Sequence, residues 1–252
     1  LNGQENTFIG YNAAMNTSGI SRINAGAFNT IIGHRAGTTN TEGNDNTYIG
    51  ARAGNGLIGT SSRNTVIGSR TQVDNTNPII GNNTFIGYTT GINIANGINN
   101  TILGANSWGG NGNIRSNNVI VGVNSGNTIT GDQNVILGNN AGGNSGNNNT
   151  FVGDNCGQRQ GGAGNRNVFL GSGVGYNSGQ GSIGIGTDFT LNAGNNNIAI
   201  IAGGNGTIAD NNGPLGGISF IRIGRNANGS SNTYQQANNS IAIGTNATAI
   251  VN

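Results

Sequence analysis

Short apolar triplets punctuate an otherwise polar chain, and each is opened by Asn and closed by Gly. The phrase reads Asn6-Thr-Phe-Ile-Gly10, then Asn29-Thr-Ile-Ile-Gly33, Asn46-Thr-Tyr-Ile-Gly50, Asn64-Thr-Val-Ile-Gly68, Asn83-Thr-Phe-Ile-Gly87 and Asn100-Thr-Ile-Leu-Gly104. It continues as Asn118-Val-Ile-Val-Gly122, Asn134-Val-Ile-Leu-Gly138, Asn149-Thr-Phe-Val-Gly153 and Asn167-Val-Phe-Leu-Gly171. Later copies drift to Ser182-Ile-Gly-Ile-Gly186, a degenerate copy near Gly203, Ile221-Arg-Ile-Gly224 and Ser240-Ile-Ala-Ile-Gly244. Fourteen marker glycines lie 18 residues apart on average, with extremes of 15 and 23. A fixed phrase on a loose period describes one pinned element with a variable connection, which is how solenoids are built.

Three β-branched, aliphatic or aromatic residues between Asn and Gly suit a short strand bounded by turn formers, and no helical periodicity spans a repeat. Stacked at the usual strand spacing, the copies predict an all-β fold: a parallel β-solenoid, or β-roll, of about fourteen coils, roughly 65 Å long. It is expected as a single repeat domain over residues 1–252, a fragment of a longer fibre protein. Gly and Asn then serve corners where positive φ is needed.

Side chains alternate along a strand, so the residue two before each marker Gly points opposite to its neighbours. Both resulting stripes are apolar, the signature of a strand covered on both faces. One roll has one interior, and an uncovered stripe of large residues would exceed what a monomer exposes. The expectation is a homotrimer in which sister chains cover Phe8, Ile31, Tyr48, Val66, Phe85, Ile102, Ile120, Ile136, Phe151 and Phe169. The alternative is a flattened solenoid with one wide core and a partly exposed aromatic ladder.

Three residues after the marker a small residue recurs: Ala13, Ala36, Ala53, Thr71, Ser107, Ser125, Ala141, Cys156, Ala227 and Ala247. Something must approach closely there, and Cys156 reads as a buried filler of that slot rather than a nucleophile. The Asn four before the marker, present in ten of the fourteen copies, predicts an internal amide ladder. An exposed Asn row that binds glycan or ice is the other reading. His34 is the sole histidine and falls at an exposed corner position.

Composition supports a scaffold. Gly (49) and Asn (51) make up about two-fifths of the 252 residues, and charged residues only 7%. All ten basic residues are Arg, spread from Arg22 to Arg225 without a sequence cluster that could track a phosphate backbone, so no nucleic acid is expected. The longest apolar run, Ile198 to Ala202, is too short to insert in a membrane. The eight acids share no repeat position, Arg166 stands where a calcium-binding repeat would place Asp, and a phosphate loop needs a Lys the chain lacks. No catalytic, cofactor or metal residue is assigned; an enzyme is not expected.

Asn239-Ser-Ile-Ala-Ile-Gly-Thr-Asn-Ala-Thr-Ala249 resembles the head repeat of trimeric autotransporter adhesins of the YadA type, and Ser182-Ile-Gly-Ile-Gly186 is next closest. The other coils, Asn-Thr-Phe-Ile-Gly-x-x-Ala-Gly, resemble a repeat of bacterial surface and phage tail-fibre proteins. The resemblance implies a left-handed roll, three chains about one axis, and an adhesive role at the cell surface, outside the cell or on a virion fibre, toward a host glycan or protein. These repeats are longer than the family's, with additions between Ala14 and Phe28 and between Gly204 and Ser219 that would project as loops. Irregular stretches at 15–23, 108–115, 158–166 and 234–236 offer ligand-facing candidates: Trp108, Arg115, Arg159 and Tyr234, with Trp108 equally suited to capping the roll. Other readings are a tail-fibre or spacer section with no ligand of its own, and an ice-binding solenoid. Against the last, Val or Ile replaces Thr three before the marker in several coils, as a core position tolerates.

Overall fold

A computed structural model describes residues 4–15, 26–38, 42–55, 60–71, 81–92, 97–108, 116–127, 129–143, 146–158, 164–176, 180–192, 196–202, 206–209, 220–224 and 240–244. The chain divides into two units, Leu1–Thr128 and Ile129–Asn252, and among the described residues both are built from β-strands without helix. Each is a parallel β-solenoid.

In the first unit the strands are β1 (Thr7–Ile9), β2 (Thr30–Ile32), β3 (Thr47–Ile49), β4 (Thr65–Ile67), β5 (Thr84–Ile86), β6 (Thr101–Leu103) and β7 (Val119–Val121). Every one is the expected triplet. Each pairs in parallel with the next, and the register never slips: Thr faces Thr from β1 to β6, and the central residues align from Phe8 through Ile31 and Tyr48 to Ile120. In the second unit β8 (Val135–Leu137), β9 (Thr150–Val152), β10 (Val168–Leu170), β12 (Ile183–Gly186), β14 (Ile198–Ile201), β16 (Phe220–Gly224) and β17 (Ser240–Ile243) pair likewise. Three further strands, β11 (Gly175–Tyr176), β13 (Phe189–Asn192) and β15 (Gly206–Ala209), form a second parallel sheet. Register places Ile201, not Gly203, at the marker position of the degenerate coil, opposite Gly186.

The central residue of each triplet points inward, not toward a sister chain. Ile31, Tyr48, Val66, Phe85, Ile102, Ile120, Ile136, Phe151 and Phe169 are all 0% exposed within the single chain, and Phe8, on the terminal strand, is half-buried. The expected interface set is therefore the core of the roll. Coil width decides this. The opposite wall is the small slot three after the marker, where Ala36, Ala53, Thr71, Ser107, Ser125, Ala141 and Cys156 are buried; Gly37, Gly54, Gly126, Gly142 and Gly157 follow five of them in the left-handed region. A Cβ built on Gly54 would lie 3.0 Å from the Tyr48 ring, and one on Gly157 would lie 2.6 Å from that of Phe151. The interior thus holds one large side chain per coil, laid across a wall stripped of side chains. Phe151 and Phe169 stack at 5.5 Å.

Toward the C-terminus the two walls exchange roles. The inward position shrinks to Gly184 and Ala199, while Val174 and Phe189 on the opposite wall become bulky and buried. A Cβ on Gly184 would meet Phe169 at 2.7 Å and Val174 at 3.2 Å. Close packing conserves volume per coil, not residue per position. That exchange accounts for the two repeat forms.

Polar satisfaction runs along the stack. The Asn29 backbone N–H donates to Asn6 Oδ1 at 2.8 Å, Asn46 repeats this on Asn29 at 3.0 Å, and Asn64, Asn83, Asn100 and Asn118 continue the series. The amide Nδ2 groups donate onward, Asn29 to the Gly43 carbonyl and Asn46 to the Ser61 carbonyl, both at 2.8 Å. Asn29 through Asn118 are essentially inaccessible, so the ladder is internal, as expected. In the second unit Asn149 and Asn167 do the same and Ser182 takes the next place. A buried amide that satisfies backbone groups of two rungs removes a penalty no apolar side chain could.

Candidate binding surface

With the central residues inside, the flanking residues of each triplet form the outer sheet face. Two columns run along it in the first unit. One is Thr7, Thr30, Thr47, Thr65, Thr84, Thr101 and Val119; the other is Ile9, Ile32, Ile49, Ile67, Ile86, Leu103 and Val121. Every member is exposed or half-exposed, with Ile9 reaching 56%. The second unit has a pair of its own, with Val135, Thr150, Val168 and Ile183 in one column and Leu137, Val152, Leu170, Ile185 and Ile200 in the other. The Thr position is therefore a surface position; its occasional replacement by Val is not a sign of core.

Two corners frame this face. One residue precedes the ladder Asn with φ near +60°, as in Asp45 (58°), Arg63 (58°) and Asn99 (59°). A second left-handed residue lies two after the marker: Asn12 (56°), Arg35 (56°), Arg52 (60°), Arg70 (56°), Thr89 (57°), Asn106 (51°) and Asn124 (52°). Here the sequence expectation needs correcting, because the arginines are not all scattered. Arg35, Arg52 and Arg70 occupy one position on three consecutive rungs, tied by backbone hydrogen bonds from Arg52 to the His34 carbonyl (2.8 Å) and from Arg70 to the Ala51 carbonyl (2.9 Å). Sequence spacings of about one coil concealed them; aligning the repeats on the marker Gly is the signal that finds them. Arg35 and Arg70 are exposed and Arg52 half-buried.

Beside this column stands the residue one after the marker. Tyr11 and His34 stack there at 5.6 Å with planes 8° apart, and Tyr88 is 51% exposed two rungs past Ser69's neighbour Ala51. His34 is thus at an exposed corner, as expected.

The four ligand-facing candidates fare differently. Trp108 is 3% exposed, and its backbone N–H donates to the Ser125 carbonyl at 2.8 Å. It takes the wall position that Gly37, Gly54 and Gly91 hold in other coils, so the exposed-anchor reading is overturned. Arg115, Arg159 and Tyr234 lie outside the described residues. Cys156 is fully buried, its Sγ–H donates to the Phe169 carbonyl at 3.3 Å, and burial pushes the thiol up to about 12 against the opposing pull of a backbone hydrogen bond at Val152. It is a filler of the small slot.

Among the described residues no group of three or more His, Cys, Asp or Glu is placed to hold a metal, and no helix is long and apolar enough to cross a membrane. No known family, curated protein or solved structure matches the chain.

Proposed function

We propose that the chain is a structural and adhesive segment of an extracellular homotrimeric fibre, a left-handed roll of about fourteen coils whose three copies pack about a common axis. The observation that carries this reading is the outer aliphatic column, one Ile, Leu or Val per coil beside a column of Thr and Val. An unbroken apolar stripe along a sheet face is larger than monomers leave wet. Sister chains would cover Ile9, Ile32, Ile49, Ile67, Ile86, Leu103 and Val121, and not the central residues, which the roll itself consumes. The resemblance of the repeats to adhesin heads and tail fibres supports the same assembly and its surface or virion location. The role is presentation of corners and loops on a repeat scaffold, without catalysis, to a surface glycan or protein. Light scattering tests it: the expected mass is three times 25.3 kDa, and a monomer at micromolar concentration overturns it. Binding to cells or glycan arrays then separates an adhesin from a fibre section or spacer with no ligand of its own.

One observation favours a second reading, an ice-binding solenoid. Six threonines stand in register on an outward sheet face at lattice-like intervals. Both readings need the same face, so they exclude one another. Thermal hysteresis from a monomer would establish the ice binder; a trimer without hysteresis would remove it.

A further inference from the structure

We infer that the corner formed by Arg35, Arg52 and Arg70, with the Tyr11–His34 stack alongside, is a binding site for an anionic polysaccharide. The inference deepens the adhesive reading by giving the partner a chemistry, yet it rests only on coils of the first unit and stands for a monomer as for a trimer.

The first support is an arrangement that costs the fold. Parallel rungs are about 4.8 Å apart, so three guanidinium-bearing side chains leave the backbone at successive steps of a column, like charge beside like charge. Each also holds φ between 56° and 60°, a conformation that suits Asn better than Arg. The other coils of this unit place uncharged residues here, Asn12 below and Thr89, Asn106 and Asn124 above. Three consecutive coils decline that solution. Like charges stacked on successive rungs, a cost to the fold, mark a surface that an opposite charge would relieve.

The second support is that the described residues supply no anion to this column. Among the described residues none of the three guanidiniums has a hydrogen-bond or ion-pair partner. The described carboxylates of this unit, Glu5, Glu42 and Asp45, all precede strands, whereas the arginines follow them across the sheet. Arg63, at the other corner, contrasts with them: its Nε donates to Asn82 Oδ1 at 2.7 Å.

The third support selects a sugar polymer over other anions. A linear polymer with one charge per repeating unit can meet successive rungs, and the fork of Arg matches carboxylate and sulfate alike. Tyr11 is 71% exposed and stacked flat on His34, offering an apolar ring face at the end of the column; Tyr88, 51% exposed, stands at the other end. Exposed rings bracketing a row of cations suit the alternating apolar and anionic surface of an acidic glycan.

The experiment titrates the full chain with dextran sulfate, polygalacturonate, neutral dextran and duplex DNA, by calorimetry at about 50 and 200 mM salt. Binding to at least one acidic glycan is expected, weakening about tenfold or more between the two salts. The tighter of the two acidic glycans identifies sulfate or carboxylate as the anion. The triple variant R35N/R52N/R70N carries the residue that other coils use and should lose about tenfold or more in affinity, consistent with about three released counterions. R63N should match the parent. Protection of Arg35, Arg52 and Arg70 from phenylglyoxal by the bound glycan, read by mass spectrometry on the parent protein, gives the same answer if the triple variant folds poorly. No binding to either acidic glycan, equal binding by neutral dextran, tighter binding to DNA, an unaffected triple variant, or unprotected arginines would each overturn the site. A monomer by light scattering would sink the fibre and leave this titration intact.

Discussion

Tyr48 carries a hydroxyl into a column otherwise made of hydrocarbon. The side chain is fully buried, the oxygen has no hydrogen-bond partner of normal geometry, and burial raises the phenol far above its ordinary value, only partly opposed by Asn64. An unmet buried hydroxyl is worse than none, so Tyr48→Phe should stabilise the protein by about 1 kcal/mol, seen as a higher denaturant midpoint at unchanged slope. Folded Tyr48 and Cys156 both bind their protons more tightly than the unfolded chain does. Stability from them is therefore complete below the unfolded values, near 9.0 for the thiol, and is lost as pH rises toward the folded value of about 12. A Tyr48→Phe, Cys156→Ala double variant should flatten the fall in melting temperature between about pH 9 and 11. The ladder amides show the opposite case of a buried polar group that is met. Asn64 Oδ1 accepts from the Asn83 backbone and side chain at 3.1 and 3.2 Å, and its Nδ2 donates to Asn46 and Ser62 at 3.2 Å. Asn64→Ala strands these groups in a dry interior and should cost about 3 kcal/mol, whereas Ser69→Ala on the exposed corner should cost under about 0.5 kcal/mol in the same denaturant titration.

At the scale of the element, the coil is defined by where it refuses a side chain. Gly50 holds φ at +130°, and a Cβ there would lie 2.7 Å from the carbonyl carbon of Gly68 on the next rung. Gly50→Ala combines backbone strain with a clash against main chain that cannot rotate away, and chemical denaturation should show a loss of about 3 kcal/mol or more. The sequence made this element readable because the triplet, its bounding Asn and its closing Gly each answer one local constraint, and all three recur. The small slot and the internal ladder were legible for the same reason. Which face of the triplet is interior was not. Alternation separates Phe85 from Thr84 and Ile86 but assigns neither side to the core. The assignment depends on the far wall of the same coil, where Ala53 and Gly54 leave room for Tyr48, and on the exchange in which Gly184 yields to Phe189. That pairing is a volume relation between positions about six residues apart, visible only once the coil is closed. The Arg35, Arg52 and Arg70 column was hidden by a different cause: neighbours in the stack are 17 or 18 residues apart in sequence, and no window of local charge contains two of them.

For the whole molecule, the reversal of faces changes which substitutions should break the fold and which should break the proposed trimer. Val66 is 0% exposed and lies in the column shared with Tyr48 and Phe85, whereas Ile67 is half-exposed on the outer face between Ile49 and Ile86. A carboxylate at the inner site has no partner and no water, a penalty of several kcal/mol that coils on either side cannot relieve. Val66→Glu should therefore abolish the β-signature in circular dichroism or leave the protein insoluble. Ile67→Glu meets solvent in the single chain, so the protomer should keep its spectrum and its melting transition under conditions where it is monomeric. In the proposed trimer, however, three such carboxylates would be forced together about the axis, like charges desolvated at one level, and that assembly should dissociate. The pair of variants thus separates fold from association on adjacent residues of one strand. If Ile67→Glu remains a trimer with unchanged stability, the outer aliphatic column is not what holds three chains together, and the fibre would have to be assembled through another surface.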